Sequence, residues 1–264
     1  MAQVGIFGGS GLYQLLTGDV EERWIETPYG PPSDKVVLGM LGGKEVAFLP
    51  RHGRGHTIPP HKINYRANVW AMKSLGVDAV IGPCAVGSLQ KHIEPGHVVL
   101  CDQFIDRTSG RTDTFYDGPI VTHVSAADPY CPVLRAHALG VCQRRGVTVH
   151  ENGTIVVVNG PRFSTKAESR WYTHMGWDII GMTQYPEAYL ARELELPYLN
   201  LSLVTDYDAG LVSESAEAVT HEAVLEVFAA NIENLRGLLA ELVETLPDVS
   251  PSPARAALTG ARLG

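Results

Sequence analysis

Pro186-Glu187-Ala188-Tyr189-Leu190-Ala191-Arg192-Glu193-Leu194-Glu195-Leu196-Pro197-Tyr198-Leu199-Asn200-Leu201-Ser202-Leu203-Val204 carries the decision about fold class. Its first half, Pro186–Leu194, has a helical pattern, and it feeds directly into a strand over Pro197–Val204. Short runs of the same kind recur along the chain, at Val4–Phe7, Val46–Leu49, Val77–Ile81, Val98–Leu100, Ile155–Val158 and Ile179–Met182. Several are apolar at every position, the pattern of strands buried on both faces. A second helix is expected over Asn64–Leu75, where Ala67, Trp70, Ala71 and Leu75 share one stripe. Strands alternating with helices indicate an α/β fold around a largely parallel central sheet.

Near the C-terminus, Val224, Phe228, Ile232, Leu235, Leu239, Leu242 and Leu246 step by three or four and predict a long amphipathic helix. Thr220 stands at its N-cap position and Pro247 closes it. There is no internal repeat and no linker to divide the chain, so one domain is expected over residues 1–248. Residues 249–264, rich in Pro and small side chains, are expected to form a flexible tail.

A formal net charge of -8 argues against a nucleic-acid binder, which needs a basic face. A small anion stays compatible, because a local group of donors can hold it. Cys84, Cys101, Cys131 and Cys142 form no C-x-x-C pair and read as reduced thiols. Met1–Phe7 lacks a signal-peptide pattern, and no apolar run approaches the roughly 20 residues of a membrane span. A cytoplasmic protein with no membrane partner is the expectation.

Five segments bear chemistry. Gly8-Gly9-Ser10-Gly11-Leu12 follows a strand; its glycines turn backbone N–H groups toward an anion, or simply make a tight turn. Arg51-His52-Gly53-Arg54-Gly55-His56-Thr57 concentrates donors suited to phosphate oxygens. A metal on His52, His56 and His61 is the alternative, weakened by the flanking arginines and the lack of a nearby carboxylate or Cys; a solvated loop is the third reading. Gly82-Pro83-Cys84-Ala85-Val86-Gly87-Ser88-Leu89 reads as a small-residue loop at a strand end, where open α/β sheets hold ligands. Cys84 is either a nucleophile or, as free Cys more often is, a small buried hydrophobe. In Asn159-Gly160-Pro161-Arg162-Phe163-Ser164, Phe163 stacks on a flat ring or belongs to the core, and Ser164 can bond a ring edge. In Thr205-Asp206-Tyr207-Asp208, two carboxylates at i and i+2 raise one another's pKa, which suits a general acid; a solvated turn is the plainer reading.

These segments, together with Asp102-Gln103-Phe104-Ile105-Asp106-Arg107-Thr108, occur in an order that closely resembles the methylthioadenosine phosphorylase branch of the trimeric purine nucleoside phosphorylases. The resemblance implies a single α/β domain with a mixed, largely parallel sheet flanked by helices. It implies that Ser10, Arg51, His52, Ala85 through its backbone N–H, and Thr183 hold phosphate, with Cys84 beside them where the family commonly has Thr. Met182 would lie under the ribose and Phe163 against the purine, with Ser164, Asp206 and Asp208 reading its edge and the two aspartates as catalytic groups. His123 would reach into a neighbouring subunit's pocket in a homotrimer. His221 would stand near the 5′ substituent, where the methylthioadenosine enzymes usually have Val. Inorganic phosphate is then a co-substrate, and no metal or organic cofactor is expected. Asp206 favours a 6-aminopurine, whereas His221 favours a 5′-hydroxyl. The expected reaction is phosphorolysis of S-methyl-5′-thioadenosine, with a general purine nucleoside phosphorylase as the alternative. A nucleoside-binding protein without turnover, or a water-using nucleosidase, are the remaining readings.

Overall fold

The apolar runs become the strands of a sheet whose two faces are both covered. The structure, a computed structural model, describes residues 2–9, 12, 15–210 and 220–262; the side chains of residues 221, 223–225 and 228 are not among those described. In chain order the elements are β1 (Val4–Gly8), β2 (Thr17–Arg23), β3 (Val36–Leu41), β4 (Lys44–Pro50), α1 (Tyr65–Ser74), β5 (Ala79–Ser88), β6 (Val98–Val99), β7 (Gln103–Arg107), α2 (Pro132–Arg144), β8 (Val149–His150), β9 (Thr154–Val158), α3 (Lys166–His174), β10 (Ile179–Gly181), α4 (Gln184–Glu193), β11 (Tyr198–Asp206) and α5 (His221–Glu244). The strands form one mixed, largely parallel sheet in the order β2-β3-β4-β1-β5-β10-β9-β7, with β11 alongside β5 and β6, and β6 alongside β8.

Period-two alternation sorts the side chains between two layers. Val4 and Ile6 of β1, Val46 and Phe48 of β4, and Leu199, Leu201 and Leu203 of β11 pack with Leu134 and Ala138 of α2 and with Leu235, Leu239 and Leu242 of α5. Phe7, Ala47, Leu49, Tyr198 and Val204 face the other way, against Val69 and Met72 of α1 and Ala188 and Leu190 of α4. The expected α5 stripe is borne out at Leu235, Leu239 and Leu242, which are buried. Its members Val224 and Phe228 lie outside the described side chains. The turn after β3 needs glycine at 42: φ is +53°, and a Cβ would stand 2.4 Å from the Ala240 carbonyl oxygen.

Two expectations change. Gly82–Ser88 is not a loop after a strand but the second half of β5 itself, ten residues paired along its length with β11. Residues 249–262 are packed, not loose. Ser252 caps a 3₁₀ turn over Pro253–Ala256, Val249, Ala254 and Ala261 are buried, and Arg255 donates to the Asp78 carbonyl at 2.7 Å. Small residues and prolines signalled disorder, yet here they fit close against the body. Arg262 pairs with Thr122, and the His123 N–H donates to the Ala261 carbonyl. No helix among the described residues is long and apolar enough to cross a membrane.

Ending the chain at Asp248 is therefore expected to lower the thermal midpoint and to open the 119–125 loop to protease. An unchanged midpoint and cleavage pattern would show that the segment adds nothing to the fold.

Candidate active site

The sheet reverses direction where β10 runs antiparallel to the end of β5, with Ile180 opposite Gly87. A cleft of about 480 Å³ sits over this seam. Open α/β sheets hold ligands at such switch points, because neighbouring strands send their following loops apart there. The loops after β1, β4, β9, β10 and β11 contribute its walls, and Pro83–Gly87 of β5 runs along it as strand.

Strand β5 sets out the two ends. At one end Arg51 donates from Nη1 to the Pro83 carbonyl at 3.1 Å. At the other, Asp206 rests on Gly87, where a Cβ would lie 2.8 Å from its Oδ1. Four residue steps of strand lead from Pro83 to Gly87, roughly 13 Å.

Arg51 at the first end is fully buried and forked onto Glu187, with Nε–Oε2 at 2.6 Å and Nη2–Oε1 at 2.7 Å. Tyr198 donates a third bond to Glu187, at 2.6 Å. Burial alone would lower the Arg51 pKa; the Glu187 carboxylate more than reverses it, so the guanidinium stays charged. Three of its five N–H groups are engaged with Glu187 and Pro83, which leaves two on a cation that lines the cleft. His52 is different from the donor expected of it. Its Nδ1 lies 2.9 Å from the Ile58 carbonyl, which can only accept, so Nδ1 carries the proton. Burial, with Arg51 adding repulsion, pushes its pKa down to about 4. The ring is thus neutral and its Nε2 is an acceptor. Arg54 turns outward to Glu22 at 2.6 Å and takes no part in the cleft. His56 does line it, stacked on His52 with ring centres 4.3 Å apart. Among the described residues no three His, Cys, Asp or Glu side chains converge as a metal site.

Cys84 lines the cleft, but its sulfur is committed. Ser202 donates to Asn200 Oδ1 at 2.7 Å, so the bond between Ser202 Oγ and Cys84 Sγ (3.3 Å) uses the thiol hydrogen. Asn200 and Gln184 amides donate to the same sulfur at 3.4 and 3.7 Å. Burial raises the thiol pKa, so it is no thiolate nucleophile, and its hydrogen is not offered to an anion. Ala85, Met182 and Thr183 line the cleft, and Thr183 spends no side-chain bond on capping α4.

At the second end, Phe163 is exposed at the mouth and Ser164 lies behind it. Their loop is held by a capping box between Thr165 and Glu168, which Arg162 also grips at 2.8 and 2.7 Å. Asp206 accepts from Thr205 Oγ1 and from the Asp208 N–H, both at 2.8 Å. Burial raises the pKa of both aspartates; the local hydrogen bonds pull the other way, on Asp206 from Thr205 and on Asp208 from Ser169 and Ser164. Asp208 adopts φ of +47°, which aspartate tolerates better than most residues. Its Oδ2 and the Ser164 Oγ are buried without a hydrogen bond of full geometry. Two such groups side by side in a cleft wall suit a ligand edge carrying a donor and an acceptor.

The remaining expected residues are not gathered here. His123 is exposed and does not line the cleft of its own chain. Ser10 and the His221 side chain lie outside the described residues. Sequence reasoning missed Glu187 and Tyr198. The available signal was a carboxylate set in an otherwise apolar turn, Pro186-Glu187-Ala188, just before a buried strand. It also missed Arg111, described below.

A family model described as the phosphorylase superfamily matches residues 3–244. The chain belongs to this superfamily. It is 54% identical over 271 residues to a purine nucleoside phosphorylase of Streptomyces coelicolor, covering 100% of this chain and 95% of that protein. It is 52% identical over 248 residues to an S-methyl-5′-thioadenosine phosphorylase of Thermofilum pendens, covering 93% of each. A methylthioadenosine phosphorylase from Schistosoma mansoni, solved with adenine, superposes with a TM-score of 0.92 at 37% identity over 99% of both chains.

The raised Asp208 pKa carries a sign. A buried carboxyl whose folded pKa lies above its unfolded value costs stability once pH exceeds both, and costs nothing below them. Asp208→Asn, which also suits the positive φ, is therefore expected to melt above the wild type at pH 7. That advantage should shrink as pH falls through the folded pKa toward the ordinary aspartate range, as calorimetric melts across pH will show. A variant less stable at pH 7 would contradict it.

Proposed function

We propose that this phosphorylase cleaves S-methyl-5′-thioadenosine with inorganic phosphate, giving adenine and 5-methylthioribose 1-phosphate. The observation that carries the reading is the cleft's polarity. A charged guanidinium with free N–H groups stands at Pro83, and the half-buried Asp206 with the buried Asp208 stands roughly 13 Å along the same strand, at Gly87. A nucleoside with phosphate behind its sugar has that order of groups. The matched relatives, phosphorylases of purine nucleosides and of methylthioadenosine, support it.

In this reading the outer N–H groups of Arg51, the Thr183 hydroxyl and the Ala85 N–H bind phosphate, with Ser10 completing the set. His52, an acceptor, receives the phosphate's own O–H. Met182 lies under the ribose and Phe163 covers the purine. A phosphate oxygen forms the bond to C1′ as the C1′–N9 pair departs with the base. Asp206, whose burial favours the protonated carboxyl, delivers its proton at N7 as negative charge builds there. Asp208, buried in the cleft wall beside Ser164, accepts from the 6-amino group. Holding both reactants in line replaces a covalent intermediate.

The Streptomyces relative, together with His221 at the start of α5, favours a second reading, a general purine nucleoside phosphorylase. Base release from methylthioadenosine, adenosine and inosine, with and without phosphate, separates the two. Phosphate-dependent adenine from methylthioadenosine is expected to dominate. Faster cleavage of adenosine or inosine would favour the second reading, and release without phosphate would indicate hydrolysis. Asp206→Ala should lose turnover by about 100-fold while phosphate affinity changes little; unchanged turnover removes Asp206 from the mechanism.

The assembly we infer is a homotrimer in which His123 completes a neighbour's pocket. Its loop supports this, since Ile120 and Val121 beside it are 53% and 58% exposed, an apolar face without cover in one chain. Light scattering should return three times the chain mass of 28.6 kDa; a monomeric mass would overturn the assembly.

A further inference from the structure

Arg111 lies outside the cleft, yet its guanidinium ties together two of the loops that form it and reaches a third through Tyr65. Nη2 donates to the Asn159 carbonyl at 3.1 Å and to the Met182 carbonyl at 2.8 Å, with Val158 at 3.4 Å; Nη1 donates to the Tyr185 carbonyl. Nη1 also reaches the Tyr65 hydroxyl at 3.3 Å, and that hydroxyl donates to the carbonyl of Pro60, a cleft residue. The guanidinium lies 5.2 Å from the Tyr65 ring centre. No carboxylate among the described residues forms an ion pair with it, although burial pushes its pKa down.

The segment around it is itself anchored to α4. Thr114 Oγ1 and the Phe115 N–H both donate to Glu193 at 2.7 Å, and Tyr185 donates to Asp113 at 2.6 Å. A half-buried cation held almost wholly by backbone carbonyls is a costly arrangement for stability alone, since carbonyl dipoles replace part of its water and stand in for a counter-charge. Its geometric content is large. The Asn159 carbonyl belongs to the loop that carries Phe163 and Ser164, at the base end. The Met182 and Tyr185 carbonyls bracket Thr183, at the phosphate end. A planar fork with fixed N–H directions sets the separation of these loops; a point charge does not.

We propose that Arg111 is a positioning residue that fixes the distance between the base-holding and the phosphate-holding loops, and so the separation of the two reactants. The proposal rests on the phosphorylase reading above. Arg111→Lys keeps the charge but loses the fork. It should lower kcat about 10- to 100-fold, because a misplacement near 1 Å costs that much. Binding of adenine alone and of phosphate alone, by calorimetry, should stay within about threefold, since each loop stays intact and only their spacing is lost. Tyr65→Phe, which removes only the link to Pro60, should show a smaller loss of the same kind and guards against a lysine variant that fails to fold.

Turnover of either variant at the wild-type rate would overturn the proposal. So would a fall in both single-ligand affinities and in melting temperature that accounts for the whole loss, because that marks a merely structural residue. A further readout does not need turnover: saturating phosphate should tighten adenine binding in the wild type and fail to do so in Arg111→Lys. A wild type that shows this coupling but releases no base would overturn the phosphorylase reading and leave Arg111 standing. A wild type without the coupling overturns the role given to Arg111.

Discussion

Everything at the Pro83 end of the cleft depends on one buried ion pair, Arg51 with Glu187, at 2% and 0% exposure. Taking two charges out of water costs several kcal/mol each, and their attraction does little more than return it. The pair is therefore poorly explained as a source of stability. What it supplies is direction: both forks of Glu187 and the Pro83 carbonyl use three sides of the guanidinium, so its remaining N–H groups have one way to point. Tyr198 finishes the arrangement, and its hydroxyl explains Gly82, where a Cβ would fall 1.8 Å from that oxygen. A central strand tolerates glycine poorly without such a reason.

Because the cleft runs along β5, its length is set by strand geometry. The functional side chains are then set at fixed points: Arg51 against Pro83, Asp206 over Gly87, Cys84 beside Ser202 of the paired strand. Sites built on regular elements hold their groups more closely than sites built on loops alone. The loop from β9 to α3 lacks this support, and there the capping box with Arg162 takes over.

Sequence pattern revealed the strands that are buried on both faces and concealed those that are not. β2 reads Thr-Gly-Asp-Val-Glu-Glu-Arg and is exposed throughout, so no apolar run marks it. The second half of β5 was hidden by Gly82-Pro83 and Gly87, whose composition resembles a turn; the pairing with β11 that makes it a strand comes from 118 residues away at Cys84 and Ser202. The five quoted segments did converge on one cleft, apart from Ser10, outside the described residues. Residue types alone did not give their roles. His52 looked like a donor until the Ile58 carbonyl fixed its tautomer. Glu187 and Arg111 act through partners 136 and 46 to 74 residues distant, which no local spacing announces.

The neutralised guanidinium also bears on how an anion arrives. The chain carries a net charge of -8, Glu187 offsets the charge of Arg51, and His52 is uncharged, so these groups add little net positive charge to the cleft. On the phosphorylase reading, an approaching phosphate gains little long-range attraction from these groups and meets a molecule of its own sign. Capture on that reading rests on short, directed contacts within the cleft. Added salt, which weakens exposed electrostatics within a Debye length of about 10 Å at 0.1 M, has little here to screen.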